Sequence, residues 1–175
     1  MTEDEQGAGV NWDLLGLYMS DHVSGSTAGT NRIAYMAKNY ADSPHGPALK
    51  RIERELRDER ALLHSLLAKH GQPRRRHRQI LAWAGERVGR LKLNGRIVGT
   101  SPMTPVLESE LMRSAVLGKI GGWQTLDAYR EQFDVPPSTF ADLIAQAERQ
   151  IEDLSAMHEW ARERAFVEGA SLPLK

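Results

Sequence analysis

Apolar residues recur three and four positions apart along nearly the whole chain, and no alternation of apolar and polar positions lasts beyond a few residues. The pattern predicts helices. The first runs from about 12 to 41 behind Asn11, a suitable N-cap, with a stripe of Leu15, Tyr18, His22, Gly25, Gly29, Ile33, Met36 and Tyr40. ADSPHGP interrupts it, and Ser43 followed by Pro44 supplies the cap and first-turn residue of a second helix over 45–70. Its stripe is Leu49, Ile52, Leu56, Leu63 and Leu67, with Gly71 suited to the position just past its end. A shorter helix follows from Pro73 to about 91, marked by Ile80, Trp83, Ala84, Val88 and Leu91. Beyond the turn-rich NGRIVGTSPMTP, Thr104 and Pro105 open a third long helix to about 133, striped by Leu107, Leu111, Gly118, Gly122, Leu126, Tyr129 and Phe133. Val135-Pro-Pro-Ser138 turns the chain into the last helix, about 138–168, with Phe140, Ile144, Ala147, Ile151, Leu154, His158, Ala161 and Ala165 on one face.

Two long helices with a short link, a connection of about thirty residues holding one short helix, and two more long helices make an all-α chain. Two helical hairpins joined by a long crossover have the connectivity of the ferritin-like four-helix bundle, here with a short fifth helix in the crossover. A three-helix or irregular bundle is the competing arrangement. Residues 12–168 form the single domain, with residues 1–11 read as a disordered lead and 169–175 as a tail.

A shift of 93 places Gly25 on Gly118, Gly29 on Gly122, Met36 on Tyr129, Tyr40 on Phe133 and Pro44 on Pro137, so the first and third helices read as equivalent members of two hairpins. The second members align better at an offset of 95. Each mid-helix glycine costs roughly 0.5–1 kcal/mol relative to alanine. Close packing of the two helices at Gly25, Gly29, Gly118 and Gly122 is the expected reason for tolerating it. Room for a ligand or a water between the helices is the alternative.

Composition narrows the chemistry. The chain has no cysteine, which excludes disulfides, thiolate zinc, iron–sulfur ligation and a cysteine nucleophile. No apolar run reaches the roughly 20 residues of a membrane span. MTEDEQGAGVN is acidic, unlike a signal peptide, so a cytoplasmic protein is expected. The net charge is zero but unevenly built: residues 1–44 hold two basic and six acidic groups, residues 97–175 seven and twelve, and residues 72–96 eight basic against one acidic. Arg74, Arg75, Arg76, Arg78, Arg87 and Arg90 make this basic segment a candidate anion or nucleic-acid contact. The bland reading is pairing with the chain's own acidic helices or a second subunit, or plain solvation. Trp12, Trp83, Trp123 and Trp160 lie at element edges or beside the stripes, where they fit either a homodimer interface or caps on the monomer's core. There is no Gly-x-Ser-x-Gly elbow, phosphate loop or dinucleotide fingerprint.

LLGLYMSDHVSGSTAG at 14–29 with LKLNGR at 91–96 resembles the ferritin-like superfamily and, within it, a group of actinobacterial helical proteins of unassigned activity. The resemblance spans residues 12–168. It implies a four-helix bundle, and in metal-bearing members two irons held by a carboxylate on each of two helices and a Glu-x-x-His on each of the others. This chain departs from that pattern, since Glu-x-x-His occurs nowhere in it: Glu55 leads to Asp58, Glu59 to Leu62, Glu148 to Ile151 and Glu152 to Ser155. Ser114 and Ala115 stand where the repeat would place partners of Asp21 and His22.

A degenerate metal site, for iron or manganese, would draw on Asp21, His22, Glu59, His64 and His158. Position 22 comes level with 64 across the first hairpin, and Glu59 and Arg60 interrupt the second stripe nearby. The bland reading makes these a hydrogen-bonded polar layer, with Asp21 paired to Arg32 or Arg60 and His158 a packed histidine. The sequence thus predicts a homodimeric binding or scaffolding bundle with no cofactor. Metal-dependent oxidoreductase or metal-binding activity, and polyanion binding through the basic segment, are the alternatives.

Overall fold

In the computed structural model, which describes residues 9–70 and 101–167, the chain is helical and holds no strand among the described residues. Helix α1 spans Trp12–Asn39, α2 Gly46–His70, α3 Thr104–Asp127 and α4 Thr139–Ala165, with a 3-10 turn at Arg130–Gln132 between the last two. The helix expected after Pro73, the six arginines of the basic segment, Trp83 and the tail from 169 lie outside the described residues.

Local chemistry fixes the ends. Asn11 Oδ1 accepts from the Leu14 N–H at 3.0 Å and caps α1. The first turn is folded on Ser43, whose hydroxyl donates to the Tyr40 carbonyl and accepts from the His45 N–H. Gly46 follows because the Ala41 carbonyl oxygen would lie 2.2 Å from any Cβ there, a backbone clash no rotamer relieves. Ser101 opens α3, its carbonyl accepting from the Thr104 N–H, with Pro105 in the first turn where its missing donor costs nothing. Helix α3 stops earlier than the expected 133. The Tyr129 N–H bonds to Leu126 and tightens the chain, and Phe133 is extended, so that its ring enters the core from a loop.

Helices α1 and α2 form one antiparallel hairpin, and α3 and α4 another. Between hairpins, Tyr18 meets Thr125 and Arg32 meets Glu108, so α1 runs antiparallel to α3. Arg51 meets Asp153 and Gln146 meets Glu59, so α2 runs antiparallel to α4. Helices α2 and α3 are therefore parallel.

Two apolar clusters fill the interior. Ile33, Met36, Tyr40, Leu49, Ile52, Met112, Val116, Leu154 and Met157 pack at the end nearest the α1–α2 turn. Leu15, Met19, Leu63, Leu66, Leu67, Trp123, Leu126, Phe133 and Phe140 pack at the other. On α1 nothing from 20 to 29 is buried, because glycine, serine and threonine carry too little apolar area to be drawn in.

This corrects the predicted stripes. The ends of α1 bury as expected, but Gly25 is exposed and Gly29 only partly covered. Helix α3 carries two parallel apolar rows, and the one that turns inward is Val106, Met112, Val116, Ile120 and Trp123. These bulky side chains remove more surface from water than Leu107, Leu111 and Gly118 would, which leaves the two leucines half-covered and Gly118 facing solvent, while Gly122, Leu126 and Phe133 of the predicted stripe are buried as expected. The expected close contact of glycines is corrected with it. Among the described residues, a Cβ at Gly25, Gly29 or Gly118 would meet no atom within 4 Å. Only Gly122 is a filled notch, and what fills it is the His22 ring, 2.9–3.3 Å from where a Cβ would stand, rather than another backbone.

Candidate functional site

The interval between the two apolar clusters is polar, and it draws on three helices. On α2, Glu59 follows Leu56 by three positions and precedes Leu63 by four, so the helical repeat turns it inward; it is 4% exposed. On α4, Gln150 falls between Ala147 and Leu154 by the same repeat and is 1% exposed. On α3, Lys119 leans in between Val116 and Ile120. The Lys119 ammonium lies 2.6 Å from Glu59 Oε2 and 2.9 Å from Glu59 Oε1, and donates to Gln150 Oε1 at 2.5 Å. Gln150 Nε2 donates to Glu55 Oε2 at 2.8 Å and to Glu59 Oε1 at 3.1 Å, and Gln146 Nε2 donates to Glu59 Oε1 at 2.8 Å. Glu55 is in turn flanked by Arg51, which bonds Asp153.

Taking both charges out of water costs several kcal/mol per ion, and only mutual attraction with nearly complete hydrogen bonding offsets it. The layer meets that demand. Burial pulls the Lys119 ammonium below the usual lysine range, while the carboxylates of Glu59 and Glu55 push it back up.

A second buried carboxylate sits nearer the α1–α2 turn. Glu108, 2% exposed, accepts from Arg32 at 2.8 Å and from the Tyr40 hydroxyl at 2.5 Å. Burial raises the Glu108 carboxyl, against the opposing pull of Tyr40 and Arg32. Burial and the same carboxylate push the Tyr40 phenol far above its ordinary value.

The residues expected to form a metal site scatter. His22 packs over Gly122 with its ring edge-on to Tyr18 at 4.6 Å, and burial lowers its pKa while the neighbouring Asp21 charge raises it. Glu59 belongs to the mid-bundle layer. His64 points to solvent. His158 bonds Glu110 at 3.0 Å. Gly122 and Glu110 are separated on α3 by a rise of about 18 Å, so His22 and His158 cannot share an ion. Among the described residues, no three His, Asp or Glu side chains are placed to hold a metal. Nor does the layer fit the di-iron centre implied by the resemblance, because it contains no histidine and the Lys119 ammonium already occupies the space beside the Glu59 carboxylate.

Lys119, Gln146, Gln150 and Glu108 are absent from the predicted set. Their signal is the polar residue on a buried repeat: Gln150 lies three past Ala147, and Glu108 lies four before Met112. No family model matches the chain, and neither the curated proteins nor the solved structures contain a match. No helix of the described residues is long and apolar enough to cross a membrane.

Proposed function

We propose that this chain is a ferritin-like bundle that works by binding and scaffolding, as a homodimer, without a conventional di-iron centre. Two antiparallel hairpins whose inner members, α2 and α3, run parallel support the ferritin-like connectivity. The observation that carries the scaffolding reading is that, among the described residues, each buried carboxylate is already neutralised from within, Glu59 by Lys119 and Glu108 by Arg32 with a hydrogen bond from Tyr40. A site built for metal leaves its buried carboxylates to the ion; here they are spent on the fold.

The homodimer rests on surface chemistry. Helices α2 and α4 carry ten and nine charged residues, α1 and α3 only four and five. Leu14, Tyr35, Leu117 and Tyr129 are exposed on or beside these less charged helices. Large apolar side chains amid few charges suit an interface between copies.

Metal analysis of protein purified from iron- and manganese-supplied cells tests the reading, with far less than one metal per chain expected. A stoichiometric metal lost on His22→Ala would replace it with the metal-dependent alternative. Polyanion binding through Arg74, Arg75, Arg76, Arg78, Arg87 and Arg90 has its own check: association that falls steeply with salt and disappears when the arginines become serine.

A further inference from the structure

Three oxygens converge on one nitrogen at mid-bundle. Lys119 Nζ lies 2.5 Å from Gln150 Oε1 and 2.6 and 2.9 Å from the two oxygens of Glu59. These oxygens come from α2 and α4, and the side chains that carry them are almost wholly buried, so the arrangement is built into the core. Glu55, one turn from Glu59 on α2, supplies a further oxygen held 2.8 Å from Gln150 Nε2. Glu59 Oε2 is buried and lies 2.6 Å from the ammonium, so both oxygens of this carboxylate face the same cation.

The donors are carboxylate and amide oxygens, with no sulfur or imidazole. Such a set selects hard divalent cations, Mg²⁺, Mn²⁺ or Ca²⁺, over zinc or copper. Charge points the same way. Lys119 brings one positive charge to a layer holding two carboxylates, Glu59 in direct contact and Glu55 one turn away beside Arg51. A doubly charged ion would balance both carboxylates, which lie on the same face of α2.

We propose that Lys119 is the tethered resident of an oxygen-lined cation site, and that removing its side chain opens the site to a hard divalent ion. The native chain then keeps its central cation at any metal concentration, because the cation is covalently attached. This goes beyond the scaffolding reading and rests on the geometry of the layer.

The test compares wild type, Lys119→Ala and Lys119→Ala/Glu59→Gln as full-length chains, with MnCl₂ as the probe. Binding is read by calorimetry and by loss of the free-ion electron paramagnetic resonance signal, and folding by circular dichroism with and without Mn²⁺. Wild type should show no saturable binding. Lys119→Ala should take up one Mn²⁺ per chain and melt at a higher temperature in its presence, and Glu59→Gln in that background should weaken binding at least tenfold. A Lys119→Ala protein that folds and binds no Mn²⁺ overturns the inference, as does one that is unfolded and not restored by Mn²⁺, or one whose binding ignores Glu59→Gln. Those results leave the scaffolding reading standing. Stoichiometric Mn²⁺ in wild type, lost on Glu59→Gln, would overturn both.

Discussion

Replacing Gly25, Gly29 and Gly118 by alanine should stabilise the protein. All three lie inside helices, where glycine is worse than alanine by roughly 0.5–1 kcal/mol because the unfolded chain has more freedom to lose. A close neighbour would cancel that gain, but an added Cβ at each of them meets nothing within 4 Å among the described residues. The triple variant should therefore gain about 1.5–3 kcal/mol, the three sites adding only where they do not touch. For a chain of this size each kcal/mol raises Tm by about 2–4 °C. Gly122 is the internal control. Its alanine variant makes the same propensity gain but drives a methyl to within 2.9–3.3 Å of the His22 ring, which Tyr18 holds from one side. Gly122→Ala should thus destabilise, and should turn favourable in a His22→Ala background where the notch is empty. Urea denaturation at several protein concentrations measures each step. A loss above about 0.5 kcal/mol at Gly25, Gly29 or Gly118, unchanged by concentration, would refute the open geometry and restore backbone contact between α1 and α3.

Further outcomes can be measured on the same protein. Lys119→Met leaves the Glu59 charge buried and should cost about 3–5 kcal/mol in denaturant, whereas Lys119→Met/Glu59→Met should recover most of that loss. Tyr40→Phe removes a donor from a buried carboxylate and should cost about 1–3 kcal/mol, with little added when Glu108→Gln is also present. His22 and His45 both have folded pKa values depressed by burial. Below the ordinary value of 6.5 the native state binds fewer protons than the unfolded chain, so their contribution is intact above about 6.5 and is lost as pH falls through the depressed values; His22→Gln/His45→Gln should flatten that decline in thermal melts. Leu117→Glu should shift sedimentation toward monomer while leaving helicity unchanged, and a monomeric wild type would remove the homodimer.

Much of the fold was legible because helix signals are local. Asn11 caps α1, Thr104 and Pro105 open α3, and the all-helical pattern holds across the described residues. What failed was rotational phase. On α3 the Leu107–Leu111 row and the Val106–Met112–Val116 row lie side by side, and periodicity cannot say which faces inward. The volume of Met112, Val116 and Trp123 decides it, and volume counts only against a partner helix. On α4 Phe140, Ala147, Leu154 and Ala161 bury as expected, but Gln150 and Met157 take the fully buried places expected of Ile151 and His158. The site suffered most. Glu59 was visible as a break in an apolar stripe, but the ammonium that satisfies it comes from a residue 60 positions away. No local rule links the two.

The polar layer also bears on how two otherwise interchangeable hairpins find one alignment. Apolar rows of leucine, isoleucine and methionine interlock almost equally well after a slide of one helical turn, about 5.4 Å. Such a slide of α4 along α2 would carry Gln150 away from Glu55 and Glu59, and Gln146 away from Glu59, leaving a buried carboxylate and a buried amide without partners. Each unsatisfied group costs about 1–3 kcal/mol, more where it is charged. The same slide between α1 and α3 would lift His22 off the Gly122 notch and press its ring against Thr125 or Gly118 instead, and would separate Arg32 and Tyr40 from Glu108. Three independent contacts therefore penalise one slipped state, and their combined cost is comparable to the whole stability of a domain. Glu59, Lys119, Gln150 and Glu108 thus trade some stability for a single register, a use of buried charge that the proposed scaffolding role would require.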